Sequence, residues 1–306
     1  MFRLSFQPYQ RRFKQALRTH HGLWSQRDGI LLQLEDERGR MGKGEIAPLP
    51  WFGSETLEEA LYFCRHLPAR FSLHELEAIS EALPACQFGF GSALESLSHR
   101  PAASENKEAL LHSALLPTGK AALTAWPALW KRGYRTYKLK IGVSSLATEQ
   151  DLCRTLLSEL PPSAQLRLDA NGGLDAQTAQ QWLEICDGSR PTSDIEYLEQ
   201  PLPVNQFEDM LRLSKQYTTP IALDESVATL PQLIHCYEKG WPGIFVIKPA
   251  ISGYPQQLRQ FCQTHAIDAV FSSVFETEIG RHACLQLAAT LSTRAVGFGL
   301  DHWFAD

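Results

Sequence analysis

Between residues 137 and 248, five short apolar runs each end in a charged residue, and their spacing leaves few folds open. The runs are Tyr137-Lys138-Leu139-Lys140, Leu166-Arg167-Leu168-Asp169, Ile195-Glu196-Tyr197-Leu198-Glu199, Ile221-Ala222-Leu223-Asp224 and Ile244-Phe245-Val246-Ile247-Lys248. From Lys140 the steps to the next terminal charge are 29, 30, 25 and 24 residues. A strand of about five residues, a helix of about twelve and two short loops fill such an interval. The spacing predicts successive β/α units with one charged residue ending each strand. In a (β/α)8 barrel those ends converge on one face, where the active sites of this fold lie. Three carboxylates between two amines in a single mouth describe a divalent-metal acid/base site.

The same rhythm extends on both sides of this series. Leu115 and Leu116 precede a Pro-Thr-Gly loop and a helix expected over 120–131. Further runs stand at Ala269-Val270-Phe271-Ser272-Ser273 and at 295–301, which makes eight candidate strands between about 111 and 301. Upstream the period is absent. Met1 to Phe6 reads as a first strand, Gly29 to Glu35 as a second, Asp36-Glu37-Arg38-Gly39 as a turn and Met41 to Ile46 as the returning strand. A proline-bounded loop, Pro48-Leu49-Pro50-Trp51-Phe52-Gly53, then leads to a capped helix start at 54–60 and to helices expected over 71–83 and 89–97. The expected architecture is α/β: a modified (β/α)8-type barrel over 111–301, an N-terminal α+β capping domain over 1–110, and a tail over 302–306. A length of 306 residues suits a large domain with a smaller companion.

Composition excludes several classes. A net charge of -5 gives no electrostatic footprint for nucleic acid. No apolar run approaches the ~20 residues of a membrane span, and Met1-Phe2-Arg3-Leu4-Ser5-Phe6 is not a secretory segment. Seven scattered cysteines without Cys-x-x-Cys spacing suit reduced core residues of a cytoplasmic protein. No His-x-x-x-His pair occurs among the ten histidines, which argues against zinc. Gly39, Gly42 and Gly44 lack the spacing and the following helix of a phosphate loop. Oligomeric state is left open.

Strand side chains alternate faces, so Lys138 and Lys140 point one way, as do Arg167 and Asp169. On a central barrel strand an outward lysine would meet apolar helices, which directs the pair inward. Paired ammonium groups repel each other, and a nearby metal adds to this, so a lysine there can lose its proton and act as a base toward carbon. Asp169, Glu199 and Asp224 are hard oxygen ligands suited to Mg2+ or Mn2+, with positions left for water and a carboxylate substrate. Each alone could instead serve as a helix cap. Asn171 reads as a residue that orients a metal ligand from behind or as a turn residue before Gly172-Gly173. Glu225 is expected to face away from Asp224 if the strand continues. Lys248 ends the sixth strand, across the barrel from Lys140, so a substrate would lie between the two.

These residues resemble those of the enolase superfamily, in its muconate-lactonizing subgroup. The matching elements are Lys-x-Lys at 138–140, Leu-Asp-Ala-Asn at 168–171, Glu-Gln-Pro at 199–201, Asp-Glu-Ser at 224–226 and Ile-Lys-Pro at 247–249. Within the subgroup, the stretch from Gly44 to Thr56, Arg167 before Asp169, Phe271-Ser272-Ser273-Val274-Phe275-Glu276 and Gly299-Leu300-Asp301 resemble the o-succinylbenzoate synthase family of menaquinone and phylloquinone biosynthesis. The resemblance implies metal-assisted syn dehydration of 2-succinyl-6-hydroxy-2,4-cyclohexadiene-1-carboxylate through an enediolate. It implies Lys140 as base and then acid, Lys248 as a cation stabilising the enediolate, and Asp169, Glu199 and Asp224 as metal ligands. It further implies Lys138, Arg167, Ser272 and Ser273 as substrate contacts. Arg167 could instead pair with a carboxylate deeper in the barrel. Trp51 and Phe52 are read as a lid over the substrate, with packing between domains as the alternative, and His20-His21-Gly22 as a hairpin loop reaching the mouth with no chemical role. The rival readings are an N-acylamino-acid racemase or dipeptide epimerase on the same five residues, although Asp301-His302-Trp303 lacks the Asp-x-Asp of the epimerases. A non-catalytic barrel binding protein would require a lost ligand or lysine, and none is lost.

Overall fold

The computed structural model describes residues 1–19, 22–98, 110–188, 194–299 and 304. The chain opens with strands β1 (Phe2–Thr19), β2 (Gly22–Asp36) and β3 (Met41–Ile46), paired antiparallel in that order. The β2–β3 turn forms where the sequence places it: the Asp36 carboxylate accepts the Arg38 and Arg40 amides, both at 2.9 Å, and Gly39 takes the left-handed conformation. Ile30, Leu32 and Leu34 alternate onto the buried face of β2. Against it packs α3 (Pro84–Ser98). The approach is close: a Cβ on Gly42 or Gly44 would lie 2.1 Å or 2.0 Å from the α3 carbonyl oxygens of Ala93 and Gly89. These glycines serve packing.

β1 runs to Thr19, well beyond the first six residues that suggested it. Its outer half is rich in Arg and Gln, and its register against β2 shifts between Arg12 and Leu17, so simple alternation is lost. Helix α1 (Leu57–His66) starts at a Thr56–Glu59 capping box, as expected. The helix expected over 71–83 is only α2 (Leu73–Glu77), and α3 starts earlier than expected, at Pro84. The buried Glu55 carboxylate receives the Ala85 and Cys86 amides there at 3.0 and 2.7 Å, and a proline tolerates a first-turn position.

The barrel follows as β4 (Ser113–Leu115), α4 (Ala121–Lys131), β5 (Thr136–Lys140), α5 (Leu146–Glu159), β6 (Gln165–Asp169) and α6 (Ala176–Gly188). It continues with β7 (Asp194–Glu199), α7 (Phe207–Gln216), β8 (Ile221–Leu223), α8 (Leu230–Glu238) and β9 (Ile244–Ile247). The last elements are α9 (Pro249–Ser252), α10 (Pro255–His265), β10 (Ala269–Phe271) and α11 (Glu278–Leu291). The seven strands are parallel and adjacent in sequence order. Val296 bridges His112, beside β4, and Gly297 bridges Ser272, beside β10, so the eighth segment closes the ring. Leu300 and Asp301 lie outside the described residues, as do His20, His21 and, except for Phe304, the tail at 302–306.

Inside the ring, Tyr197, Ala222, Ile244, Val246 and Val270 form a cluster separate from the main core. Two residues on from three of them, in the same parity, come Glu199, Asp224 and Lys248. Alternation therefore carries each charge to the mouth.

Polar side chains from both units tie the N-terminal unit to the barrel. Arg259 of α10 makes a two-point pair with Glu95 of α3 at 2.8 and 2.9 Å. Glu45 of β3, fully buried, reaches the start of α11, where it accepts Thr277 N at 2.9 and 3.0 Å and Gly280 N at 2.9 Å, together with the Tyr9 and Thr277 hydroxyls. A carboxylate at a helix N-terminus also complements the helix dipole.

Candidate active site

A cavity at the mouth is walled by Lys138, Lys140, Asp169, Asn171, Asp224, Lys248, Ser272 and Ser273 from the strand ends. Trp51 and Phe52 of the N-terminal unit line it too. The register puts Lys140 level with Asp169 and Asp169 level with Glu199, so the carboxylates stand side by side. Lys138 Nζ bridges them, 2.9 Å from Asp169 and 2.7 Å from Glu199. Lys140 Nζ lies 3.4 Å from Asp169 and donates to Asn171 Oδ1. Lys248 Nζ donates to Asp224 and sits 3.9 Å from the centre of the Phe52 ring, a cation–π arrangement.

Burial and charge set the protonation tendencies. Burial pulls the Lys138 pKa down, but Asp169, Glu199 and Asp224 outweigh it and hold the ammonium well above its ordinary value. Asp169 is driven down because Lys138 and Lys140 together overcome the effect of its burial. Glu199, fully buried and beside Asp169, is pushed up to about 8. Four acids, counting Glu225, face three lysines. Glu199 Oε2 and Glu225 Oε2 are buried without hydrogen-bond partners. Among the described residues, no three acidic, histidine or cysteine side chains converge closely enough to hold a metal as they stand; the Lys138 and Lys248 ammonium groups lie against the carboxylates.

The supporting residues have defined tasks. Asn171, at φ 46°, accepts from Lys140 and donates to Glu225 at 3.2 Å, while its amide caps Asp169 at 3.0 Å. It thus turns the chain and bonds to both Lys140 and Glu225. Gln200, fully buried, accepts the amides of Asp224 and Ser226 at 3.0 and 3.2 Å and donates to Ser226 Oγ at 2.8 Å. This holds the chain after β8 in a 3-10 turn from Glu225 to Val227, so the strand stops at Leu223. Glu225 therefore lines the cavity with Asp224, contrary to the expectation that it faces away.

Arg167 does not line the cavity. It is 1% exposed and lies below the mouth, its Nε 2.6 Å from Glu196 and its guanidinium over the Tyr197 ring. Glu196 is the extra residue where the β6–β7 register shifts, and it also receives Arg294 at 2.8 Å. A bulge re-aims such a side chain. Glu199, with no exposure, sits behind Lys138. Trp24 and Phe275, not foreseen, complete the roof: Trp24 packs edge-on to Trp51 at 5.0 Å and to Phe275 at 5.3 Å, and Phe13 touches both Trp24 and Phe275. Nothing in the pattern of β2 marks Trp24, because its role depends on how the hairpin arches over the barrel.

Comparison with known proteins places the fold in a family. Residues 122–303 match the family model described as "Enolase C-terminal domain-like", and residues 8–97 match "MenC, N-terminal domain". Fold and mouth together define an enolase-superfamily enzyme. An o-succinylbenzoate synthase of Thermosynechococcus vestitus is 43% identical over 300 residues, 96% of this chain and 91% of the relative; that of Klebsiella pneumoniae is 32% identical over 90% and 83%. The chain belongs to the o-succinylbenzoate synthase family. The crystal structure of o-succinylbenzoate synthase from Thermosynechococcus elongatus, complexed with Mg in the active site, superimposes with a TM-score of 0.91 at 42% identity, over 98% of this chain and 94% of that one. A dipeptide epimerase from Enterococcus faecalis shares the fold, with a TM-score of 0.82 at 21% identity over 96% and 89%.

Proposed function

We propose that this chain is an o-succinylbenzoate synthase, converting 2-succinyl-6-hydroxy-2,4-cyclohexadiene-1-carboxylate to o-succinylbenzoate and water in quinone biosynthesis. The observation that carries the reading is the pair Lys140 and Lys248, set on barrel strand ends two and six around one cavity, with Asp169, Glu199 and Asp224 on the strands between. Lys140 takes the proton α to the carboxylate and returns it to the departing hydroxyl, so one base completes a syn elimination. Lys248 donates to Asp224 and is covered by the Phe52 ring. Its charge stabilises the enediolate.

Asp169, Glu199 and Asp224 would hold Mg2+, or Mn2+ in its place. The all-oxygen donor set and the unpartnered Glu199 Oε2 fit a hard dication. When bound, such an ion supplies positive charge that favours ionisation next to the substrate carboxylate. Lys138 keeps Asp169 and Glu199 together. Ser272 and Ser273 form the wall by strand seven, and Trp51 and Phe52 the lid. We assign 1–110 to the cap, 111–301 to the barrel and 302–306 to a tail. Seven free, buried cysteines support a cytoplasmic location.

The test is to mix purified protein and Mg2+ with the cyclohexadiene substrate and follow loss of diene absorbance. Lys140→Ala should lower kcat by roughly 10²–10⁴. A properly metallated protein without turnover would refute the assignment. Deuterium exchange into N-acylamino acids would then test the racemase reading, which the facing lysines also permit.

A further inference from the structure

Glu276 stands just past the strand-seven wall, 5% exposed, and its carboxylate turns back along the chain. Its Oε2 accepts Ser273 Oγ at 2.9 Å and Val274 N at 2.8 Å, while Ser273 Oγ accepts Phe275 N at 2.9 Å. A serine hydroxyl has one proton to give and two lone pairs. Here the proton is committed to Glu276 and one lone pair to Phe275, which leaves Ser273 only an acceptor for the cavity it lines. This holds whether or not Glu276 is charged, because both donors use the same oxygen and a proton would occupy Oε1, which has no partner. The same bonds hold Phe275 at φ 62°, a conformation rare for a bulky residue, from which its ring meets Trp24 and Phe13. Ser272 differs: its hydroxyl donates to no described residue, so it can donate to an anionic substrate.

We propose that Glu276 is a positioning residue that acts through Ser273, fixing the serine as a hydrogen-bond acceptor toward the substrate and locking the Phe275 turn beneath the aromatic roof. The group read by Ser273 must then be a donor, such as a substrate hydroxyl, and not a carboxylate. This rests on the synthase reading for its kinetic arm only.

The experiment compares Glu276→Ala, Glu276→Gln, Ser273→Ala and the Ser273/Glu276 double alanine variant. Glu276→Ala should raise KM about tenfold, the effect of about one lost hydrogen bond, with kcat within about twofold. Glu276→Gln keeps a carbonyl oxygen in place and should restore KM to within about threefold of wild type. The double variant should be no worse than Ser273→Ala, because residues acting in series are non-additive. Independently of turnover, amide exchange at Val274 and Phe275 should accelerate about tenfold or more in Glu276→Ala and stay slow in Glu276→Gln. Unchanged exchange, an unaltered KM in Glu276→Ala, or losses that simply add would overturn the proposal. Should Glu276→Ala not fold, Ser273→Ala in the intact protein and Glu276→Asp, too short to reach both donors, carry the same comparisons. Wild-type protein that turns over no diene sinks the synthase reading instead, and the exchange data still decide whether Glu276 holds the turn.

Discussion

Replacing Glu45 tests what holds the cap to the barrel. Its carboxylate collects four donors: the Tyr9 and Thr277 hydroxyls and the amides of Thr277 and Gly280. In Glu45→Ala the hydroxyls can rotate, but the two amides at the start of α11 cannot. A buried donor left unmade costs about 1–3 kcal/mol, so the two amides alone predict a loss of about 2–6 kcal/mol. That is a large part of the roughly 5–15 kcal/mol that keeps a protein folded. Glu45→Gln keeps one oxygen and should lose about 1–2 kcal/mol. Gly280→Ala attacks the same contact from the other side, since a Cβ there would lie 2.8 Å from Glu45 Oε2. Urea unfolding followed by tryptophan fluorescence and far-UV circular dichroism measures all three, with coincident curves required. A Glu45→Ala protein within about 1 kcal/mol of wild type would refute the reasoning. It would mean that water enters the seam and satisfies the freed amides.

Two further outcomes follow from buried charge. Burial, with Glu45 adding repulsion, pushes Glu276 up to about 7 from an ordinary 4.5. A raised carboxyl makes the native state bind a proton that the unfolded chain releases, so this stabilisation is complete below the unfolded value and is lost as pH rises toward 7. Wild-type stability should therefore fall by up to roughly 3 kcal/mol between pH 4.5 and 7 relative to Glu276→Gln; parallel unfolding profiles for the two proteins would contradict this. Arg167→Met should cost about 2 kcal/mol, because Glu196 retains only Arg294. KM for the diene should stay within about twofold, and a tenfold rise would put the guanidinium on the substrate after all.

The barrel was legible because its signal is local and repeated. Each strand is a short apolar run with one charge at its end, and parity alone carries Lys140, Asp169, Glu199, Asp224 and Lys248 to one face. The cap was less legible for the opposite reason. Its outer hairpin is polar, and the register shift between Arg12 and Leu17 spoils the period that would mark it. Its aromatic contacts, Trp24 on Trp51 and Phe275 among them, depend on how the hairpin arches over the barrel and leave no trace in any window of sequence.

Within the site, what parity left open is decided by hydrogen bonds from side chains of another strand. Glu225 was expected to face away because a strand continuing past Asp224 would turn it outward. Gln200, from the preceding strand, takes the Asp224 and Ser226 amides and ends β8 early, which brings Glu225 into the cavity beside Asp169 and Asp224. Arg167 has the correct parity, yet the register shift at Glu196 supplies a carboxylate below the mouth and draws the guanidinium down to it. Parity tells which way a side chain leaves its strand, whereas the partner it meets decides how deep in the barrel its charge comes to rest. The five principal charges were legible because each stands at or just past a strand end, where parity alone brings it to the mouth.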